Sequence, residues 1–210
     1  MKNIFYGYSG EPVLRDVNFE IQPGDAVAIC GANGAGKSTL LKIINGLIFP
    51  TSGSYKFEGR EINSKLMADN RYSKYFHQKV GFVWQNPDVQ LFCPSVEEEL
   101  SFGPEQMELP EEEIKIRTDD AIKFFDLEKL RHRAPYNLSG GEKKKVALAS
   151  ILTMNPAIWT LDEPLSALDE KTRDVLKNFL FELKRAGKTI IFSSHDSNFI
   201  SELADKKISL

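Results

Sequence analysis

The run from Gly31 to Ser38 reads Gly-Ala-Asn-Gly-Ala-Gly-Lys-Ser, which is the phosphate-loop pattern of glycine, four residues, glycine, lysine and serine. An apolar segment, Ala26 to Cys30, precedes it, and a pattern of apolar residues at helical spacing follows it. Glycines allow backbone N–H groups to close around phosphate oxygens, and the start of the next helix attracts the anion. The pattern predicts a nucleotide phosphate site in which Lys37 reaches the β- and γ-phosphates and Ser38 ligates Mg²⁺. The predicted binding residues are Gly31, Ala32, Asn33, Gly34, Ala35, Gly36, Lys37, Ser38 and Thr39.

Four short runs are apolar throughout, which is typical of strands buried on both faces of a mostly parallel sheet. Helical patterns separate them, and this alternation predicts an α/β fold with a phosphate-loop NTPase core. The four runs are Ala26 to Cys30, Val80 to Trp84, Ala157 to Leu161 and Thr189 to Phe192.

Two other regions break this alternation. Asn3 to Tyr8 and Val13 to Ile21 predict an N-terminal antiparallel β subdomain within residues 1–25. Residues 87–135 are charged and mostly of helical pattern, and we interpret them as an inserted helical subdomain. The prediction is a single domain over residues 1–210, with a nucleotide-binding core formed by 26–86 and 136–210. Since the sequence stops 15 residues after His195, we expect no C-terminal extension, and 206–210 reads as the beginning of a strand.

Composition narrows the function further. The chain has 41% hydrophobic residues and a net charge of −3 from 27 basic and 30 acidic residues, which excludes a disordered chain and argues against general nucleic-acid binding. The run Lys143 to Lys145 is either a nucleic-acid patch or a solvated helix face with one lysine near phosphate, and the acidity favours the second.

Two isolated cysteines suit a reducing compartment. No apolar run is long enough to span a membrane and no signal peptide is present, which predicts a cytosolic chain.

Asp162 and Glu163 follow the third apolar run. Carboxylates at the end of a parallel strand lie at the same sheet edge as the phosphate loop. Asp162 is predicted to hold Mg²⁺ and Glu163 to polarise the attacking water. Two such residues alone more often form a helix cap or a solvated turn, but the phosphate loop favours the functional interpretation.

The segment Leu138 to Glu142, Leu-Ser-Gly-Gly-Glu, opens a helical pattern that runs to about Met154. Its free N–H groups and the Ser139 hydroxyl predict a second anion site. Taken by itself, the segment is better explained by Ser139 as an N-cap.

The order of these elements resembles the ATP-binding-cassette (ABC) ATPases. The matching order is the phosphate loop, Gln85, the Leu-Ser-Gly-Gly-Glu turn, Asp162-Glu163, Ser166 to Asp169, and His195. The resemblance implies that Ser139, Gly140 and Gly141 bind the γ-phosphate of ATP held by a second ATPase chain. It implies that Gln85 contacts Mg²⁺, that Asp169 lies in the loop crossing the dimer interface, and that His195 contacts the γ-phosphate. The implied catalytic residues are Lys37, Gln85, Glu163 and His195.

Tyr8 lies 23 residues before Gly31, where this family places an aromatic residue that stacks on adenine. Tyr6 and Phe5 are alternatives for that role. Any of the three could instead pack under the sheet.

The residues after Gln85 resemble one group within the family, the ATPases of energy-coupling-factor importers and of cobalt or nickel importers. The matching segments are Gln85 to Asp88, Gln90 to Phe92, Glu97 to Leu100 and Phe102 to Pro104. The resemblance implies uptake of a vitamin or of cobalt or nickel ions through a transmembrane coupling subunit and a substrate-binding membrane protein. The chain would then work at the cytoplasmic face of the membrane, as a homodimer or with a paralogue. The residues from Asn86 to Phe92 become candidate partner contacts, although Leu91 and Phe92 could equally belong to the core.

The alternative from another class is an ABC ATPase without transport function, acting in chromosome maintenance, ribosome function or cluster assembly. Chromosome-type relatives carry long coiled-coil insertions, and ribosome-acting relatives usually fuse two cassettes. This sequence shows neither feature. A generic phosphate-loop kinase or GTPase does not explain the second anion turn.

Overall fold

The computed structural model describes residues 1–210. It contains ten strands, β1 Lys2–Tyr8, β2 Glu11–Val17, β3 Ala26–Cys30, β4 Ser52–Ser54, β5 Lys56–Phe57, β6 Arg60–Glu61, β7 Val80–Val83, β8 Ile158–Asp162, β9 Thr189–Ser193 and β10 Lys206–Ser209. The α-helices are α1 Lys37–Ile44, α2 Ser64–Met67, α3 Asn70–Lys79, α4 Val96–Gln106, α5 Glu111–Phe124, α6 Gly140–Met154, α7 Glu170–Arg185 and α8 Ser197–Leu203. Three short 3-10 turns lie at Pro87–Val89, Glu128–Leu130 and Pro135–Asn137.

The central sheet has five parallel strands in the order β10-β3-β9-β8-β7. It confirms the predicted α/β class, and each of the four predicted strands begins and ends within one residue of its apolar run. Because all five strands run the same way, the residues that follow β3, β7, β8 and β9 lie at one edge of the sheet.

Helices cover both faces of this sheet, and strand β9 shows why the apolar runs lack alternation. Ile190 and Phe192 belong to a hydrophobic cluster that also holds Trp159 and Phe179. Ile191, between them, belongs to the cluster around Leu40 on the other face. All five residues of β9 are buried, so both sides of the strand require apolar or hydrogen-bonded residues.

The N-terminal strands form the predicted antiparallel layer, in which β1 pairs with β2 on one side and with β4 on the other. Strand β2 ends at Val17, not at Ile21 as predicted. Asp16 has a φ of 53°, and the Asn18 amide donates to the Asp16 carbonyl at 2.8 Å, so the chain turns before the predicted end. Strands β4 to β6 and helices α2 and α3 are structure that the sequence analysis did not assign.

Residues 87–135 are mostly helical, as expected. Helix α4 packs against α6 and α5, and Arg131 joins the two helices of this segment through Glu97 on α4 and Asp119 on α5. No helix combines the length and the apolar composition needed to cross a membrane.

Candidate active site

The phosphate loop connects β3 to α1, as predicted. Gly36, just before α1, has a φ of 101°, a backbone conformation that side chains disfavour. A Cβ atom there would lie 2.7 Å from Leu14 Cδ2 and 2.9 Å from Val13 Cγ1. Glycine is therefore required at this position both by the backbone and by the close approach of β2.

Lys37 is buried, with only 8% of its surface exposed. Its ammonium donates to the carbonyl oxygens of Gly31 at 2.9 Å and Ala32 at 3.2 Å. The positive charge is thus held inside the loop, where its partners are weak neutral acceptors. A phosphate oxygen is a stronger partner for an ammonium group than a carbonyl oxygen is.

One cleft of about 320 Å³ brings most of the predicted residues together. The ends of β3, β7 and β8 and the segment after β9 all contribute to it. The residues that line it are Tyr8, Val13, Asn33, Gly34, Gly36, Lys37, Ser38, Thr39, Gln85, Asp162, Glu163 and His195. A larger and mostly apolar cleft of about 600 Å³, lined by the first residues of β7, β8 and β9 at the other edge of the sheet, contains none of the predicted site residues.

Asp162, the last residue of β8, is 4% exposed. Its Oδ1 accepts a 2.7 Å hydrogen bond from the Ser193 hydroxyl at the end of β9. The same hydroxyl accepts from the backbone N–H of Glu163 at 2.9 Å. Ser193 was not predicted, although it directly precedes Ser194 and His195 at a parallel strand end. It fixes both carboxylate residues relative to the neighbouring strand.

Glu163 has a φ of 47°, a strained conformation for a residue with a long side chain. Ser166 holds this turn, since its hydroxyl donates to the Glu163 carbonyl at 2.9 Å. The side chain is mostly buried, and its Oε1 atom has no hydrogen-bond donor in the protein. A buried carboxylate oxygen without a donor is costly, and it is available to accept a proton from a small molecule.

His195 lies between Lys37 and Glu163. Its Nε2 atom is 3.1 Å from Lys37 Nζ and 3.2 Å from Glu163 Oε1. One imidazole nitrogen either donates or accepts. Because a lysine ammonium only donates, a hydrogen bond between the two groups requires the tautomer with its proton on Nδ1, in which Nε2 accepts from Lys37. The short distance to Glu163 is then a contact and not a hydrogen bond, consistent with its unpartnered oxygen.

The residues predicted for Mg²⁺ are suited to that ion by their chemistry. Ser38, Gln85 and Asp162 offer a hydroxyl, an amide oxygen and a carboxylate, and all line the same cleft. Mg²⁺ prefers oxygen ligands and is often held by one carboxylate together with substrate phosphates and water. This donor set contains a single carboxylate, which suits an ion that keeps water and phosphate oxygens among its ligands.

The Leu-Ser-Gly-Gly-Glu turn begins α6 and lies outside the cleft. Ser139 is the N-cap and forms a capping box with Glu142. The Ser139 backbone N–H donates to Glu142 Oε2 at 2.8 Å and its hydroxyl at 2.7 Å, and these bonds lower the pKa of the Glu142 carboxyl. Ser139 thus serves as the N-cap of α6, and because Ser139 and Gly140 are exposed to solvent, the turn is also accessible to an anion.

Asp169 is likewise outside the cleft. It is the N-cap of α7, where its Oδ1 accepts from the Thr172 N–H at 2.9 Å. A Cβ atom on Gly141 would lie 3.7 Å from Asp169 Oδ2. The second predicted anion turn and the predicted interface loop are therefore neighbours on one surface of the chain.

The three aromatic candidates of β1 differ in position. Tyr8 lines the cleft, and neither Tyr6 nor Phe5 does. Tyr8 is 45% exposed, and the Tyr6 ring meets it edge-on with the ring centres 5.0 Å apart. The structure thus places one flat ring beside the phosphate loop, with a second ring supporting it.

The lysine run was predicted to form a solvated helix face with one lysine near phosphate, and the structure departs from a solvated face at two of its lysines. Lys143 pairs with Asp88 at 2.7 Å, and Lys144 is buried, with 2% of its surface exposed. Burial lowers the pKa of the Lys144 ammonium to about 8, although the negative charges of Asp162 and Glu163 act in the opposite direction. Lys144 was missed because only helical periodicity distinguishes it from its two lysine neighbours.

The comparisons with known proteins agree with this geometry. Residues 14–166 match the family model described as ABC transporter. The chain belongs to the ABC transporter ATPase family. This membership confirms the resemblance seen in the sequence and makes the protein an ABC ATPase, which binds ATP and couples its hydrolysis to transport.

The relatives and solved structures indicate which members of the family this chain is similar to. The nickel import ATP-binding protein NikO of Rhodobacter capsulatus is 43% identical, with 100% of this chain and 84% of the relative covered. The energy-coupling factor transporter ATP-binding protein EcfA of Methanothermobacter thermautotrophicus is 42% identical, with 98% of this chain and 65% of the relative covered. A solved ABC cassette, MJ0796, was described as a dimer in a post-hydrolysis state with ADP and Pi. It is 31% identical with a TM-score of 0.87, covering 100% of this chain and 92% of the other. This ABC ATPase is thus similar to importer subunits and to a cassette that dimerises.

Proposed function

We propose that this ATPase subunit of an ABC importer powers the uptake of a transition-metal ion, nickel or cobalt, or of a vitamin. The observation that carries the ATPase assignment is the cleft in which Lys37, Gln85, Asp162, Glu163 and His195 meet. The substrate class is supported by the residues that follow Gln85 and by the similarity to a nickel import protein and to an energy-coupling factor protein.

In the proposed reaction, the phosphate loop holds the β- and γ-phosphates of ATP. Lys37 exchanges its carbonyl partners for phosphate oxygens, because a charged acceptor binds an ammonium more strongly. A Mg²⁺ ion held by Ser38, Gln85 and Asp162 would neutralise phosphate charge. Tyr8 stacks on the adenine ring, since it is the aromatic residue of β1 that faces the cleft.

Glu163 is the proposed base. Its Oε1 atom is buried and lacks a protein donor, so a water molecule placed beside the γ-phosphate can donate to it. As the water oxygen attacks phosphorus, the proton passes to the carboxylate and the bond to the β-phosphate breaks. His195, released from Lys37, donates a hydrogen bond to the γ-phosphate through its other tautomer, which offers an N–H at Nε2.

A second ATPase chain completes the site in this proposal. Ser139, Gly140 and Gly141 lie outside the cleft of their own chain at the start of α6, and Ser139 and Gly140 are exposed to solvent. An exposed helix start with two glycines leaves N–H groups free for a phosphate from another chain. The adjacent Asp169 then lies in the same interface. The second chain is either another copy of this chain or a paralogue.

The membrane partner is proposed to dock beside Gln85. Phe92 and Val89 are 67% and 65% exposed, and the Phe92 ring meets Phe102 edge-on at 4.9 Å. Leu91, in contrast, packs against the core. An exposed aromatic pair of this kind is typical of a protein contact. The partners proposed are a transmembrane coupling subunit and a substrate-binding membrane protein, which would keep the chain at the cytoplasmic face of the membrane.

Replacing the base tests the proposed function. We expect Glu163→Gln to lower the ATPase rate at least 100-fold while ATP binding remains, and the exposed variant Glu112→Gln to match the wild type. An unchanged rate in Glu163→Gln would remove Glu163 from the mechanism.

The transported substrate is tested in cells that express the chain with its membrane partners, by measuring ATP-dependent accumulation of radioactive nickel, cobalt and a panel of vitamins. Accumulation of none of them would contradict the proposed substrate class.

A further inference from the structure

We propose that Lys144 is a positioning residue that fixes Gln85 against helix α6, so that the Mg²⁺-binding side chain and the Leu-Ser-Gly-Gly-Glu turn of the same chain are mechanically joined. The inference rests on the proposed role of Gln85 at the metal and deepens it. Lys144 touches neither nucleotide nor metal in this arrangement and acts only through the backbone of the Gln85 segment.

The contacts of Lys144 are specific. Its ammonium donates to the Gln85 carbonyl at 2.8 Å and to the Trp84 carbonyl at 3.2 Å. Two successive carbonyl groups held by one ammonium define the path of the backbone at the point where β7 ends. The direction in which the Gln85 side chain leaves the chain is therefore set by α6.

Gln90 holds the same segment from its other end. Its side-chain oxygen accepts from the Trp84 N–H at 3.2 Å, and its amide donates to the Ala147 carbonyl at 2.8 Å. The backbone of Trp84 is thus hydrogen-bonded on both sides, through its N–H to Gln90 and through its carbonyl group to Lys144. Ala147 lies nearly one helical turn after Lys144, so both anchoring points belong to one face of α6.

The burial of Lys144 gives independent support. A lysine side chain usually keeps its ammonium in water, whereas this one is 2% exposed. An apolar side chain of similar length could fill the same space without desolvating a charge. The charge is explained by the two carbonyl groups that it holds and by the carboxylates of Asp162 and Glu163, whose negative charges favour it.

The consequence is a direct link between two anion-binding elements. Helix α6 begins with the turn proposed to contact the partner's ATP, and four residues after Gly140 it carries the group that holds Gln85. A displacement of the turn moves Lys144 with it, because the intervening residues form one helix. Closure of the dimer at one site is therefore transmitted to the metal-binding side chain at the other site.

The test measures the gain in ATP affinity that Mg²⁺ provides, by calorimetric titration with Mg²⁺ and with EDTA, in a Glu163→Gln background that prevents turnover. Lys144→Met is expected to reduce this gain about tenfold and to leave the affinity in EDTA within twofold of the parent. Lys144→Arg keeps hydrogen-bond donors at this position and should keep most of the Mg²⁺-dependent increase in ATP affinity. Lys145→Met, a change in the adjacent lysine, for which the structure shows no hydrogen bond, is the matched control and should behave as the parent.

A double variant separates positioning from general damage. In a Gln85→Ala background the Mg²⁺-dependent gain should no longer respond to Lys144→Met, because Lys144 acts through Gln85. Gln90→Leu, which removes the second anchor, should also reduce the gain and provides the test if Lys144→Met does not fold.

The outcomes that overturn the proposal are distinct. An equal loss of affinity with and without Mg²⁺ in Lys144→Met would mean a structural role only. A full Mg²⁺ gain in Lys144→Met and Gln90→Leu would refute the inference and leave the proposed function intact. A parent protein without any Mg²⁺ gain would refute both the assignment of Gln85 and this inference.

Discussion

The hydroxyl group of Ser193 donates a 2.7 Å hydrogen bond to Oδ1 of Asp162 across two parallel strands. The Ser193 hydroxyl oxygen also accepts a hydrogen bond from the backbone N–H of Glu163. One serine thus orients the residue proposed for the metal and the residue proposed as the base. It does so from a neighbouring strand that lies 31 positions further along the chain.

Removing this hydroxyl should damage both stability and activity. Ser193→Ala leaves a buried carboxylate oxygen and a buried N–H without partners, and we expect the free energy of unfolding to fall by about 2 kcal/mol. We also expect an ATPase rate at least tenfold lower, since the two carboxylates lose their common support. Urea denaturation and steady-state ATPase assays measure the two effects. Ser201→Ala, which removes an exposed hydroxyl, should change neither, and a fully active Ser193→Ala variant would contradict this role.

Gly36 should tolerate no side chain. Its φ of 101° and the 2.7 Å approach of a Cβ atom to Leu14 Cδ2 predict that Gly36→Ala costs about 1–3 kcal/mol of stability. Because the same backbone forms the phosphate loop, ATP binding should be lost in parallel. Thermal unfolding and nucleotide titration test this. An alanine variant with normal ATP affinity would show that the loop can adopt another conformation.

Gly140 should behave in the opposite way. A Cβ atom there would have no neighbour within 4 Å, and alanine at an exposed helical position favours folding by about 0.5 kcal/mol. We expect Gly140→Ala to be as stable as the wild type or slightly more stable, with ATP binding to the single chain unchanged. Its ATPase rate should nevertheless fall severalfold, because the added methyl group stands where the partner's phosphate is proposed to bind. Equal rates for Gly140→Ala and wild type would place the interface elsewhere.

Tyr8 should contribute through its ring. Stacking of a base on an aromatic side chain is worth about 1–3 kcal/mol, so Tyr8→Ala is expected to weaken ATP binding at least about fivefold. Tyr8→Phe keeps the ring and should stay within twofold of the wild type. Tyr6→Ala is the control, because a larger loss of ATP affinity in Tyr6→Ala than in Tyr8→Ala would make Tyr6 the stacking residue. Fluorescent ATP analogues with the base intact provide the titration.

The loss of folding stability at low pH should depend in part on Asp205. Hydrogen bonds from Lys184 and from the Ala26 N–H lower the pKa of its carboxyl. The stabilisation is therefore present above the unfolded-state pKa of about 3.9 and is lost as the pH falls through the lower, folded-state pKa. Asp205→Asn should cost about 1 kcal/mol or less near pH 6, and the difference from wild type should shrink below about pH 4. Urea denaturation across this range measures it. Asp120→Asn, an exposed change, should show no such trend.

Much of the fold could be predicted because its signals are local. Four strands of the central sheet are continuous apolar runs, and the phosphate loop and the Asp162-Glu163 pair are short motifs that need no distant partner. The elements between Ser52 and Lys79 were missed because strands β4 to β6 are only two or three residues long and helix α3 buries only Tyr72 and Phe76. The end of β2 was missed because it is set by a turn at Asp16 and Asn18. Ser193 and Lys144 were missed for a different reason. Their roles depend on contacts between residues 31 and 60 positions apart, which neither composition nor spacing reveals.

The close packing of Gly36 against Val13 and Leu14 has a consequence for nucleotide choice. Those two residues lie on β2, which pairs with β1 so that Tyr8 stands opposite Glu11. The ring beside the cleft and the strand that covers the phosphate loop thus belong to one β-hairpin. The position of the Tyr8 ring relative to the phosphate loop is therefore set by the packing of this hairpin against Gly36. If Tyr8 stacks on the base as proposed, a nucleotide with fewer phosphates should contact either the ring or the phosphate loop fully, but not both.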